Sequence, residues 1–189
     1  MVENLKMNPQ FIIFTGPMFG GKTTRLLSAL DRYVHQKRAV LAFKPDVDKR
    51  YGAESINTHT GGKIDAVRIS SGEEIIKSVR EALETGNVDI VAVDEAFMIP
   101  GSGTALTQLF LEGFTVLIST LQLCSDGTSY QEIGEMMPWA TKIEICPAVC
   151  TQCGADAYYT FKKGGNNHQQ IEVGGSDLYE PRCLNHFDF

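Results

Sequence analysis

The sequence predicts an α/β fold, a mainly parallel sheet flanked by helices, followed by a small cysteine-stapled lobe. Three observations carry this. Short apolar runs alternate with segments of helical period from residue 10 to residue 120. The apolar runs are continuous rather than alternating, which suits a parallel sheet covered on both faces. After Pro147 the periodicity stops, and paired cysteines, turn residues and aromatics take over.

Taken in order, residues 10–15, around Phe11-Ile12-Ile13-Phe14, read as the first buried strand. Residues 23–37 read as a helix ending in the basic turn His35-Gln36-Lys37-Arg38, which complements the negative end of the helix dipole. Val40-Leu41-Ala42-Phe43 is a second strand, stopped by Pro45. Residues 45–63 are rich in Asp, Gly, Asn and Thr and read as one long loop, a length that usually carries function. Val67-Arg68-Ile69 is a short third strand. In residues 71–83, Ile75, Ile76, Val79, Ala82 and Leu83 keep a helical period, and Ser71 with Glu74 forms a capping-box pattern. Residues 88–94 are an apolar strand ending in Asp94. A helix is expected near 103–112 and a strand over 115–120. The boundary falls near 146, giving an α/β domain over 1–146 and a lobe over 147–189 too short to build a core of its own.

Composition limits what the chain does. Its 189 residues are 43% hydrophobic and 21% charged, as in a soluble globular protein. A net charge of −6 argues against gripping nucleic acid through its phosphates. No apolar run reaches membrane-spanning length. The start, Met1-Val2-Glu3-Asn4-Leu5-Lys6, has neither the basic residues nor the apolar stretch of a signal peptide, so a cytoplasmic location is expected. In a reducing compartment, clustered cysteines point to a metal before disulfides.

The segment Gly16-Pro17-Met18-Phe19-Gly20-Gly21-Lys22-Thr23 reads G-x-x-x-x-G-K-T between a strand and a helix. That context makes it a P-loop, and the fold a P-loop NTPase type. Backbone N–H groups of such a loop cradle phosphate at the positive end of the following helix. Lys22 is expected on the outer phosphates of ATP, and Thr23 on Mg²⁺. The strand ending in Asp94 supplies the second half: an acidic residue at the tip of a neighbouring strand that helps to hold Mg²⁺. Glu95 follows it, pointing elsewhere, and a carboxylate near the γ-phosphate is a base for an attacking hydroxyl. Alone, Asp94-Glu95 would read as a helix cap; beside a P-loop it reads as chemistry. Further on, Cys150-Thr151-Gln152-Cys153 and Cys183-Leu184-Asn185-His186 pair a C-x₂-C with a C-x₂-H, the pattern of a structural Zn²⁺ in a zinc-ribbon-like lobe. Four protein ligands leave no position for catalytic water. Cys146 is a poorly spaced rival, Cys124 reads as a plain thiol, and His168 as solvated.

These features occur in one order: the P-loop with its internal Pro-Met-Phe, Lys44-Pro45, Arg50-Tyr51, Thr58-His59, Asp94-Glu95, the zinc pairs, and Gly174-Gly175-Ser176-Asp177-Leu178-Tyr179 before Cys183. From about 10 to 187 the chain resembles the type II, zinc-bearing thymidine kinases. The resemblance implies transfer of the ATP γ-phosphate to the 5′-hydroxyl of thymidine or deoxyuridine, in nucleotide salvage for DNA synthesis. It implies Glu95 as the base and Met18, Met98, Leu121 and Thr160 around the pyrimidine deoxynucleoside. A lasso loop over roughly 160–180 would read the base through backbone groups of Ile171-Glu172-Val173-Gly174, with Tyr179 closing the pocket. A homotetramer is implied as well.

Two segments depart from the family pattern. Where the family continues the acidic pair as Gly-Gln-Phe-Phe, this chain has Ala96-Phe97-Met98-Ile99. Where the family has Leu-Asp and then an aromatic and Arg, this chain has Leu121-Gln122-Leu123-Cys124-Ser125-Asp126-Gly127. Both touch substrate handling more than ATP binding, so an altered nucleoside specificity or a nucleotide-sensing role stands as an alternative. A P-loop ATPase using a zinc ribbon on nucleic acid is another; its lobe would need to be basic. Tyr158, Tyr159, Phe161, Lys162 and Lys163 fit that reading, whereas Asp156, Glu172, Asp177, Glu180 and Asp188 oppose it, and no nucleic-acid partner is expected.

Overall fold

The computed structural model describes residues 8–48, 55–57, 62–165 and 172–188. Strand β1 (Phe11–Thr15) leads through the P-loop into helix α1 (Lys22–His35), then β2 (Val40–Pro45). A hairpin, β3 (Ser55–Asn57) and β4 (Lys63–Asp65), precedes β5 (Val67–Ile69) and α2 (Gly72–Thr85). Next come β6 (Ile90–Val93), α3 (Ser102–Leu111), β7 (Thr115–Thr120), α4 (Gln131–Met136) and β8 (Lys142–Ile145). The lobe holds β9 (Ala148–Val149), β10 (Asp156–Ala157), β11 (Tyr159–Lys162) and β12 (Tyr179–Arg182).

Six strands form one parallel sheet in the order β5-β2-β6-β7-β1-β8. Successive residues of each strand feed opposite faces, as the pleat requires. Phe11, Ile13, Val91, Val93, Val116 and Ile118 pack with Ile75, Val79, Leu106, Leu109 and Ile133 of α2, α3 and α4. Ile12, Phe14, Ala42, Ile90 and Leu117 pack on the other face with Leu26, Leu27 and Leu30 of α1. Each such side chain, fully buried, contributes about 1.5–3 kcal/mol. The continuous apolar strands thus have the predicted explanation: both faces are covered.

Several details differ from the sequence reading. Helix α1 stops at His35 because Lys37 turns left-handed, φ 58°, and the Arg38 N–H donates to the Tyr33 carbonyl at 3.0 Å. That is a Schellman-type end made without glycine. The stretch read as one loop over 45–63 contains the β3–β4 hairpin, whose strands are too short to signal themselves. Ser71 does cap α2, accepting from the Glu74 N–H at 3.4 Å, but the Glu74 carboxylate reaches the Ser70 N–H instead of closing the box on Ser71. Helix α4 went unsignalled; it is six residues long and contains Gly134. Its Glu132 accepts from the Gly101 and Gly103 N–H groups at 2.8 and 2.7 Å, supplying the N-terminal cap that α3 lacks locally. A carboxylate there offsets the positive end of the helix by up to about 2 kcal/mol. Strand β8 is the sheet's edge, which explains its exposed Ile143 and Ile145. Arg50, Tyr51, Thr58, His59, His168 and Ile171 lie outside the described residues.

Candidate active site

The P-loop leaves the C-terminal end of β1 and wraps into α1. Its glycines have separate reasons. A Cβ on Gly16 or Gly20 would lie 2.3 or 2.2 Å from the Cys146 carbonyl oxygen, so the loop rests against the backbone at the end of β8. Gly21 caps α1 in a left-handed conformation, φ 76°. Phe19 is also left-handed, φ 66°, and is half exposed. For a side chain other than glycine that costs about 1–2 kcal/mol, strain of the kind found where a loop is shaped for a ligand. Pro17 is buried at the loop's root, and its carbonyl accepts from the buried Lys22 ammonium at 2.7 Å.

Strand β6 carries Asp94 to the same edge. It is not the immediate neighbour of β1, as expected from sequence; β7 lies between them. The gap is bridged by hydroxyls. Thr23 donates to Asp94 Oδ1 at 3.0 Å, and Ser119 of β7 donates to the same oxygen. Burial pushes the Asp94 carboxyl up, while Ser119, Thr23 and the Lys22 charge pull it partly back. A cation in front of this carboxylate would stabilise its charged form. The hydroxyl of Thr23 and the carboxylate of Asp94 are oxygen donors of the kind that could hold Mg²⁺. Glu95 takes the N-cap position of the short 3₁₀ turn Ala96–Met98 with a left-handed φ of 53°, and its side chain makes no cap bond to that turn.

A second corner is built from β7, the turn after Glu95, and the lobe. Leu121, Phe97, Met98, Cys124 and Tyr130 are buried in one core cluster, against which Met18 also packs. The Phe97 and Tyr130 rings lie 4.6 Å apart. Burial pushes the Tyr130 hydroxyl well above its ordinary range, and Cys124, Tyr179 and Glu95 add to the shift. Those four residues therefore share one neighbourhood. Tyr130 and Ser119 were missed by sequence reasoning. Tyr130 is an isolated aromatic in a polar stretch, and that contrast was the available signal.

Hydrogen bonds among the described residues fasten the lobe to this corner. The Met18 N–H donates to Thr160 Oγ1 at 3.0 Å, linking the P-loop to β11. Gln122, one of the departures, donates to the Tyr158 carbonyl at 2.9 Å. Lys162 pairs with Glu172, and the Tyr179 hydroxyl donates to the Glu172 carbonyl at 2.9 Å. These contacts close the neck of the segment between β11 and β12. Val173 is exposed, and Gly174 packs so tightly on Leu178 that a Cβ would lie 2.6 Å from it. Two aromatic rings of the lobe are engaged internally, Tyr159 stacked on Phe187 and Phe161 covered by Arg182, while Tyr158 is exposed.

At the lobe's far end the ligand atoms of Cys150, Cys153, Cys183 and His186 lie within 4.8 Å of one another. The Cys153–Cys183 sulfurs are 3.7 Å apart, and Cys183 and Cys150 sit 3.2 and 3.8 Å from His186 Nδ1. Tetrahedral zinc–thiolate bonds put neighbouring sulfurs about 3.8 Å apart. The four residues thus fit Zn²⁺. Desolvation resists the Cys150 thiolate, yet N–H groups of Cys183, Gln152 and Cys153 bring its pKa down to about 6. Among the described residues the lobe's own buried cluster is Ala148, Cys150, Ala157 and Cys183, so a metal is the stronger staple. Cys146 and Cys124 lie in the main core.

Similarity to other proteins agrees with this layout. The sequence model of the family described as "Thymidine kinase" matches residues 9–187. The thymidine kinase of Thermococcus kodakarensis is 32% identical over 180 residues, 92% of this chain and 91% of that protein. The thymidine kinase of Pyrobaculum aerophilum is 33% identical over 182 residues, 93% of this chain and 97% of that protein. Among the described residues no helix is long and apolar enough to cross a membrane. With the match running from the strand before the P-loop to the last zinc-type ligand, the chain belongs to the thymidine kinase family.

Proposed function

We propose that the protein transfers the γ-phosphate of ATP to the 5′-hydroxyl of thymidine, with deoxyuridine as the nearest relative among acceptors. The observation that carries this is the 3.0 Å bond from the Met18 N–H to Thr160 Oγ1, which joins the phosphate-type loop to the lobe at one edge. Donor and acceptor sites then share a wall. The P-loop N–H groups and Lys22 hold the β- and γ-phosphates. Thr23 and Asp94 would hold the Mg²⁺ that accompanies ATP, which would supply positive charge against the phosphates. Glu95 takes the proton of the 5′-hydroxyl as its oxygen bonds to the γ-phosphorus. The bond from that phosphorus to the β–γ bridging oxygen breaks, and ADP leaves.

Met18, Leu121, Met98 and Thr160 would bound the base, with Tyr179 at the mouth and Glu172-Val173-Gly174 over it. Ile171 belongs to the same segment. Zn²⁺ at Cys150, Cys153, Cys183 and His186 serves structure, pinning both ends of the segment. Family membership supports nucleotide salvage in the cytoplasm and a homotetramer. A test uses 5′-deoxythymidine, which keeps the base and lacks the acceptor hydroxyl. It is expected to compete with thymidine yet yield no ADP, and thymidine product should carry phosphate on the 5′ carbon alone. Equal ADP formation with 5′-deoxythymidine, or a 3′-phosphate product, would overturn the assignment.

A further inference from the structure

Between the P-loop strand and the Asp94 strand runs β7, and at its C-terminal end sits Ser119, fully buried. The last paired residues of β6 and β7 are Val93 and Ile118, so Asp94 and Ser119 come one step later on adjacent strands. The Ser119 hydroxyl donates to Asp94 Oδ1 and accepts from the Glu95 N–H at 3.3 Å. The amide N–H only donates, so the Ser119 oxygen accepts from it and keeps its hydrogen for Asp94 Oδ1. A hydroxyl has capacity for both bonds at once.

This matters because Asp94 and Glu95 face different partners, and the turn between them is strained. Glu95 has a left-handed φ of 53° without being glycine. Such a turn persists only when its surroundings over-determine it. The Met98 N–H donates to the Glu95 carbonyl at 2.9 Å, and the Ser102 hydroxyl donates to the Ala96 carbonyl at 2.9 Å. Those bonds hold the turn from behind. Ser119 ties the carboxylate of the first acidic residue to the backbone of the second. Thr23 engages the same Oδ1, so the P-loop, β7 and the acidic pair meet at one oxygen.

We propose that Ser119 is a positioning residue for phosphoryl transfer, a buried hydroxyl that fixes the Asp94 carboxylate relative to the Glu95 backbone. The proposal rests on the roles given above to Asp94 and Glu95. Displacements of about 1 Å at a reacting centre cost roughly 10²-fold in rate.

The test compares Ser119→Ala, which removes the hydroxyl, with Ser119→Thr, which keeps it. Ser119→Ala is expected to lower kcat roughly 10- to 100-fold and to raise the half-saturating Mg²⁺ concentration, with thymidine KM nearly unchanged. Ser119→Thr should recover most of the kcat and the normal Mg²⁺ dependence. Unfolding midpoints establish that each variant is folded at assay temperature. The proposal is overturned if Ser119→Ala leaves kcat and the Mg²⁺ dependence unchanged while Asp94→Asn and Glu95→Gln abolish turnover. It is also overturned if Ala and Thr variants lose activity equally, or if the loss matches a smaller folded fraction. Full activity in Asp94→Asn and Glu95→Gln would instead remove the roles on which it rests.

Discussion

Glu95→Gln is expected to reduce kcat by roughly 10²- to 10⁴-fold, the usual range for loss of a general base. ATP binding should stay within a few-fold, because the groups proposed to hold the phosphates belong to the P-loop and to Asp94. The substitution keeps shape and volume and removes the proton-accepting charge. It leaves in place the Ser119 contact, which is to the Glu95 backbone. The effect is therefore chemical rather than structural. Single-turnover kinetics at saturating ATP and thymidine measure it, with nucleotide affinity determined separately. Near-normal turnover would remove Glu95 as the base, and weakened ATP binding of similar size would make it a phosphate-site residue.

Loss of the proposed Zn²⁺ is expected to have the second large effect. Chelation, or Cys183→Ser, is expected to abolish thymidine turnover by at least about 100-fold, since structural zinc contributes folding energy outright. The reason lies in how the lobe is built. Its apolar cluster has four small members, while its strands β9–β12 are short and come in two-stranded pairs. Without a metal, the Thr151 N–H to Pro181 carbonyl bond at 3.1 Å and the exposed Gln152–Glu180 bond at 3.3 Å would have to hold Cys150–Cys153 against the segment that leads into Cys183–His186. Thr160 would then lose its place against the Met18 N–H. The main sheet has its own core on both faces, so ATP binding should survive. Metal analysis, thymidine kinetics and ATP affinity on the same preparation separate the cases. Full thymidine activity in metal-free protein would show that the lobe stands without its staple.

What was legible in the sequence is what short spacing encodes. Gly16, Gly20, Lys22 and Thr23 act within one turn, and the two cysteine-bearing pairs each fit one tight loop. Continuous apolar strands announced a sheet covered on both sides. Hidden features depend on strand order. Ser119 meets Asp94 because β7 lies between β6 and β1, an order the chain does not spell out. Glu132 caps α3 from a helix thirty residues away, and Gln122 reaches the lobe at Tyr158. Gln122 had been marked only as a departure; the structure gives it a fastening role. Met98 keeps a buried position beside Phe97 and Tyr130, so the corner there remains apolar and aromatic although the sequence pattern differs. The β3–β4 hairpin escaped notice because three-residue strands in a polar stretch carry almost no periodicity.

The central claim is that one edge of the sheet holds a triphosphate donor and a pyrimidine nucleoside acceptor together. ADP release measured with ATP and Mg²⁺, first alone and then with thymidine, tests it most directly. The account requires little ADP without nucleoside and sustained release with thymidine, equal in amount to the thymidine monophosphate formed. ADP release that ignores thymidine, or that rises instead with single-stranded DNA, would contradict it.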